Sequence, residues 1–72
     1  MKIISTTDLS RGGNDCYIYE SVSLVEEFEM YAVIICKRVV GWSEREDIYC
    51  QGEPTTDIEE AKQKYREYGG KL

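Results

Sequence analysis

Fourteen carboxylates and three thiols are the side chains in this sequence best suited to acid–base work, metal binding or a basic partner, and no histidine accompanies them. Histidine carries most acid–base work at neutral pH because its ordinary pKa lies there. Paired carboxylates could still do glycosidase or aspartic-type chemistry, but that needs a deep, partly dry cleft. A chain of 72 residues hardly builds one alone. Neighbourhoods such as Glu26-Glu27 and Glu44-Arg45-Glu46-Asp47 also read as solvated. No catalytic residue is assigned, and the expectation is a protein that is not an enzyme.

The thiols offer little more. Cys16, Cys36 and Cys50 are an odd number at spacings of 20 and 14, with no Cys-x-x-Cys pair, so neither a closed disulfide framework nor a zinc site fits. Free cysteines are often buried, and all three are expected as reduced core thiols. Lys37-Arg38 would lower the pKa of Cys36, yet strand alternation sends Cys36 and Lys37 to opposite faces. Arg11-Gly12-Gly13-Asn14 lacks the lysine of a phosphate-gripping loop, and a strand rather than a helix follows it. The calcium-loop pattern is absent as well. No cofactor and no metal are expected.

Charge distribution is more informative. Thirteen of the 14 acids lie in residues 8–29 and 44–60, where Arg11 and Arg45 are the only bases. A net charge of −5 disfavours phosphate contact, so nucleic acid is not expected as a direct partner. It favours a protein with a basic surface. Asp57, Glu59 and Glu60 suit a helix start, which leaves Glu26, Glu27, Glu29, Glu44, Glu46 and Asp47 as candidate partner-binding acids. On a strand, Glu27 and Glu29 would project from one side about 6.8 Å apart and imitate the regular charge of a nucleic-acid strand. The blander role of such acids is to keep a tyrosine-rich domain soluble. Trp42, between Gly41 and Ser43, joins the candidates as a turn aromatic of the type that anchors interfaces.

The elements that must position these residues are legible from spacing. Ile58, Ala61, Tyr65, Tyr68 and Leu72 recur at helical intervals after Pro54-Thr55-Thr56-Asp57 and before Gly69-Gly70. A capping box of Thr56 with Glu59, or of Asp57 with Glu60, predicts a C-terminal helix. Met30 to Val40 is rich in β-branched residues and predicts a central strand covered on both faces near its middle, with Asp47 to Cys50 returning beside it. Cys16, Ile18, Val22 and Leu24 alternate onto one face, interrupted by Glu20, and Tyr17, Tyr19, Ser21 and Ser23 take the other. Lys2 to Ser5 is a candidate edge strand. Residues 23–30 carry two signals: Ser23-Leu24-Val25-Glu26 has the form of a capping box, whereas the β-branched run after it favours a hairpin lacking Gly, Asn or Pro at its turn. Strands are the expectation.

The whole is predicted as one α+β domain over residues 1–72: a small antiparallel sheet of three or four strands with one C-terminal helix on one face. No apolar run approaches the roughly 18 residues of a membrane span, and the N-terminus lacks a signal-peptide core, so a cytoplasmic location is expected. The strand–turn–strand–helix tail over residues 30–70, with its Thr-Thr-Asp-x-Glu-Glu-Ala helix start, resembles many short bacterial and bacteriophage proteins. That resemblance implies a phage-type inhibitor, a group that includes acidic mimics of DNA directed at host nucleases and defence complexes. The alternative is a homo-oligomeric structural or small-ligand-binding protein.

Overall fold

A computed structural model describes residues 1–41 and 44–72. Its centre is a hairpin of two 11-residue strands, β1 being the edge strand before it: β1 (Lys2–Asp8), β2 (Arg11–Gly12), β3 (Tyr17–Glu27), β4 (Met30–Val40), β5 (Arg45–Cys50) and α1 (Ile58–Glu67). All pairings are antiparallel in the order β1-β3-β4-β5, and the two-residue β2 continues the β1 edge beside Tyr17 and Ile18. The β3–β4 register runs unbroken from Tyr17↔Val40 to Glu27↔Met30. Branched side chains at Val22, Val25, Val33, Ile34 and Ile35 suit that extended backbone. The ambiguity at residues 23–30 is therefore resolved as strand, two-residue turn, strand.

The turn has an unusual composition. Phe28 (φ 53°) and Glu29 (φ 62°) both occupy the left-handed region, the geometry of a type I′ turn that usually takes Asn-Gly. Each non-glycine residue there costs on the order of 1 kcal/mol or more. Unbroken pairing on either side holds the turn in place. Glu29 is thus a turn residue rather than a strand neighbour of Glu27, and the expected acidic row on one strand does not form.

Helix α1 starts at Asp57, whose carboxylate accepts the Glu59 N–H at 3.0 Å. The reciprocal half of a capping box is replaced by a contact in which Glu60 accepts the Thr55 hydroxyl at 3.1 Å. Gly69 (φ 109°) turns the chain out of the helix, and Gly70 lies against the Tyr65 ring, where any Cβ would sit 2.5 Å from ring carbons. Ala61 and Tyr65 pack on Val22, Leu24, Val33 and Ile35 to form the core. The Tyr65 ring is fully buried, and its hydroxyl bonds Thr7 at 2.6 Å and Ser5 at 3.1 Å on β1.

Three expectations are corrected. The helix covers only one face of β4, because alternate residues turn Ile34 and Cys36 to the opposite side, where no element lies. The cysteines are not core residues: Cys50 is exposed, and Cys16 and Cys36 are half-buried. Leu72 lies past the end of α1 and is 59 % exposed, so it does not extend the helical face.

The strained turn generates the first test. Replacing Phe28-Glu29 by Asn-Gly is expected to stabilise the fold by about 1–2 kcal/mol, since both residues tolerate positive φ. Thermal unfolding should then rise by roughly 4–8 °C per kcal/mol, as usual for a domain of this size.

Candidate protein-binding surface

The uncovered face is defined by register. Across it, Ile3, Val25 and Ala32 form one row; Thr6, Ser23, Ile34 and Cys50 the next; and Asp8, Ser21, Cys36 and Ile48 a third. Antiparallel sheets with one solvated side normally alternate apolar-in with polar-out. Here the outward side is itself largely apolar. Ile48 is 65 % exposed and Ile3 60 %, while Val25 is buried on this side.

A hollow lies at each end of the face. At the turn end, Val25, Phe28, Met30, Ala32 and Ile34 line about 330 Å³. At the other, Asp8, Tyr19, Ser21, Cys36, Arg38 and Glu46 line about 490 Å³. Phe28 overhangs the first hollow at 90 % exposure, between Glu27 and Glu29. Tyr17 and Tyr19 flank the second, their ring centres 4.6 Å apart. These tyrosines stay solvated because α1 takes the opposite side.

The structure separates the acids that the sequence grouped together. Glu27 ends β3 with a carboxylate oxygen 3.8 Å from the Met1 amine. Glu26 points to the helix side, directly across from Lys2 on one flank and Tyr31 on the other. Its charge raises the Tyr31 hydroxyl pKa above the ordinary value. Glu29 has no ion pair among the described residues. At the far end, Glu44 is exposed, Glu46 stands across from Arg38, and Asp47 lies 3.2 Å from Arg45 and across from Lys37. Of these three only Asp47 is in an ion pair among the described residues; Glu44 and Glu46, like Glu27 and Glu29, have no side-chain base within ion-pair distance. Trp42 lies outside the described residues.

Two features escaped sequence reasoning. Phe28 had a signal: with no Gly, Asn or Pro in residues 24–30, a turn there must push a large or charged side chain outward. Glu20 had one too, as the interruption in the apolar alternation. It is 6 % exposed, pairs with Arg11 and accepts the Tyr68 hydroxyl at 2.7 Å, while Tyr49 lies 3.2 Å from that hydroxyl. The Arg11 hydrogen bond, helped by Tyr68, outweighs burial and holds the Glu20 carboxyl below its ordinary 4.5. The Tyr68 hydroxyl is raised in turn, first by its contact with Tyr49 and then by Glu20. This network ties β3, the β2 edge, β5 and the chain after α1 together; no buried side-chain polar atom among the described residues lacks a partner, so it is structural.

No group of three or more acid or thiol side chains placed to hold a metal occurs among the described residues. No helix among them is long and apolar enough to cross a membrane. Comparison with protein-family models, curated proteins and solved structures finds no match to this chain.

A pH dependence follows from Glu20. Its folded pKa is depressed, so its contribution to stability is complete above about pH 4.5 and is lost as pH falls through the lower, folded value. Urea unfolding from pH 6 to pH 2 should show this acid loss. A Tyr68→Phe variant should lose about 1–3 kcal/mol at pH 6, because one carboxylate oxygen then lacks its donor. That deficit should shrink as Glu20 protonates.

Proposed function

We propose that this chain is a small, acidic, non-enzymatic module that binds a protein through the turn end of its uncovered face. The observation that carries the reading is Phe28, 90 % exposed between Glu27 and Glu29. Exposed aromatics are typical interface anchors, and charge around them sets on-rate and partner choice. A strained backbone is further support, since residues held at unfavourable φ cluster where function demands them.

Such a tip fits an apolar pocket rimmed by Lys and Arg. Nucleic-acid-binding enzymes carry basic surfaces, so the finer reading is a phage-type inhibitor that occupies the basic surface of a host nuclease or defence complex. The charge pattern supports contact centred on the turn end rather than an unbroken acidic row along the molecule: Glu46 stands across from Arg38, and Asp47 lies beside Arg45 and across from Lys37.

Capture from host extract by the immobilised wild-type chain tests this. A basic protein should be retained at about 50 mM salt, displaced by nucleic acid and largely lost near 300 mM, where screening lengths fall to a few ångströms. Glu27→Lys with Glu29→Lys should lower retention by at least about tenfold. Undiminished capture by that double variant contradicts the reading.

A further inference from the structure

The uncovered face carries acids at both ends. Glu27 and Glu29 mark the turn end; Asp8 and Glu46 mark the other, where Arg38 is the one base facing them. The Asp8 carboxylate accepts the Ser10 N–H at 2.8 Å, and the Ser10 side chain and then its backbone lower the Asp8 pKa from its ordinary value. From Met30 to Arg38 is eight residues along β4, about 27 Å at the usual rise. Between the ends lie Val25, Ala32, Ile34, Cys36 and Ile48, with small Ser21 and Ser23 beside them. Both hollows reach this middle, one through Ile34 and the other through Cys36.

Resting on the binding-module reading above, we propose that this face is the docking site for an amphipathic helix of a partner protein, apolar in its middle and lysine- or arginine-bearing at both ends. A span of about 27 Å corresponds to about 18 helical residues at 1.5 Å each. The mode repeats what α1 does on the opposite face, where a small residue, Ala61, lets the helix approach and an aromatic, Tyr65, fills the sheet's relief. A bound helix completes a three-layer α/β/α arrangement and covers Ile34 and Ile48.

Charge disfavours the other occupants, since Arg38 and the Met1 amine offset only part of the acid at the two ends. In a second copy stacked head to tail, Glu27 and Glu29 would lie over Asp8 and Glu46 of its partner; head to head, they would lie over themselves. Like charges so placed repel, as do the phosphates of nucleic acid and of anionic lipid. A basic helix meets favourable charge at both ends.

Calorimetric titration of the full chain with two synthetic helices of about 18 residues tests the proposal. The two share one leucine stripe and differ in carrying lysine or glutamate at both ends. The lysine peptide should bind at least about tenfold more tightly, weaken several-fold from about 50 to 300 mM salt, and lose at least about tenfold in affinity on Ile34→Glu. Ile48→Lys, at a 65 % exposed position, provides a second face variant should Ile34→Glu not fold, and should lose binding likewise. Gln63→Ala, on the exposed side of α1, should leave binding unchanged.

Equal affinity for both peptides, indifference to both face variants, or absence of saturable binding overturns the helix proposal. Sedimentation as a dimer that Ile34→Glu dissociates assigns the face to a second copy and overturns it too. The capture assay turns on Glu27 and Glu29 rather than Ile34. A failed titration beside intact tip-dependent capture rejects the helix alone, whereas loss of tip dependence rejects the binding-module reading itself.

Discussion

One ten-residue helix must serve a sheet with two faces, and it can cover only one. Tyr65 decides which. Its ring completes the core formed by Val22, Leu24, Val33 and Ile35, and its hydroxyl is bonded to Thr7 and Ser5 on the edge strand. A core of six buried hydrophobic residues is small, so each contact weighs heavily: truncating a buried Leu or Ile to Ala typically costs about 2–5 kcal/mol. Glu20, Arg11 and Tyr68 extend the same layer with a polar network centred on the buried Glu20 carboxylate. All of this stabilisation lies on one side. The opposite side leaves Ile3 and Ile48 exposed and Ile34 half-buried, and the functional reading grows from that asymmetry.

Register also governs the electrostatics. Antiparallel pairing sets Arg38 beside Glu46 and Lys37 beside Asp47, and so dilutes the second acidic stretch. The first stretch folds into a hairpin end, where Glu26 turns inward toward Lys2 and Tyr31 while Glu27 and Glu29 flank an exposed phenylalanine. Two similar runs of acid in the sequence thus become one diluted edge and one acidic tip. The tip costs backbone strain at Phe28 and Glu29, which residues suited to a type I′ turn would relieve. A feature that opposes stability while exposing a large aromatic is consistent with selection for contact.

Much of this fold was legible in the sequence. Helix α1 announced itself through its acidic cap, its 3–4 spacing and its closing glycines, all local signals. Strand β4 was legible to its end residues because its β-branched run is long. The 24–30 turn was located only by the strands around it, since Phe28-Glu29 lacks the glycine and asparagine that mark such turns. The covered side of β4 was not legible: a continuous apolar run reads as burial on both faces, and whether a layer exists on each side is decided by the count of helices. The placing of Arg38 across from Glu46 and of Lys37 across from Asp47 was likewise invisible, because it depends on pairing between residues eight and ten positions apart. The candidate site was half visible, its tip acids foreseen and Phe28 and the apolar face missed.

Ile34 and Ile35 are adjacent in the chain and face opposite sides of the sheet, so their methyl groups test the central asymmetry within one molecule. Isoleucine methyl NMR with a soluble paramagnetic agent reads accessibility directly. The exposed Ile48 methyls should broaden strongly in the free chain and the half-buried Ile34 methyls measurably, while Ile35, fully buried under α1, stays sharp. Ile34 and Ile48 as protected as Ile35 would mean that the face is already covered, and would contradict the account.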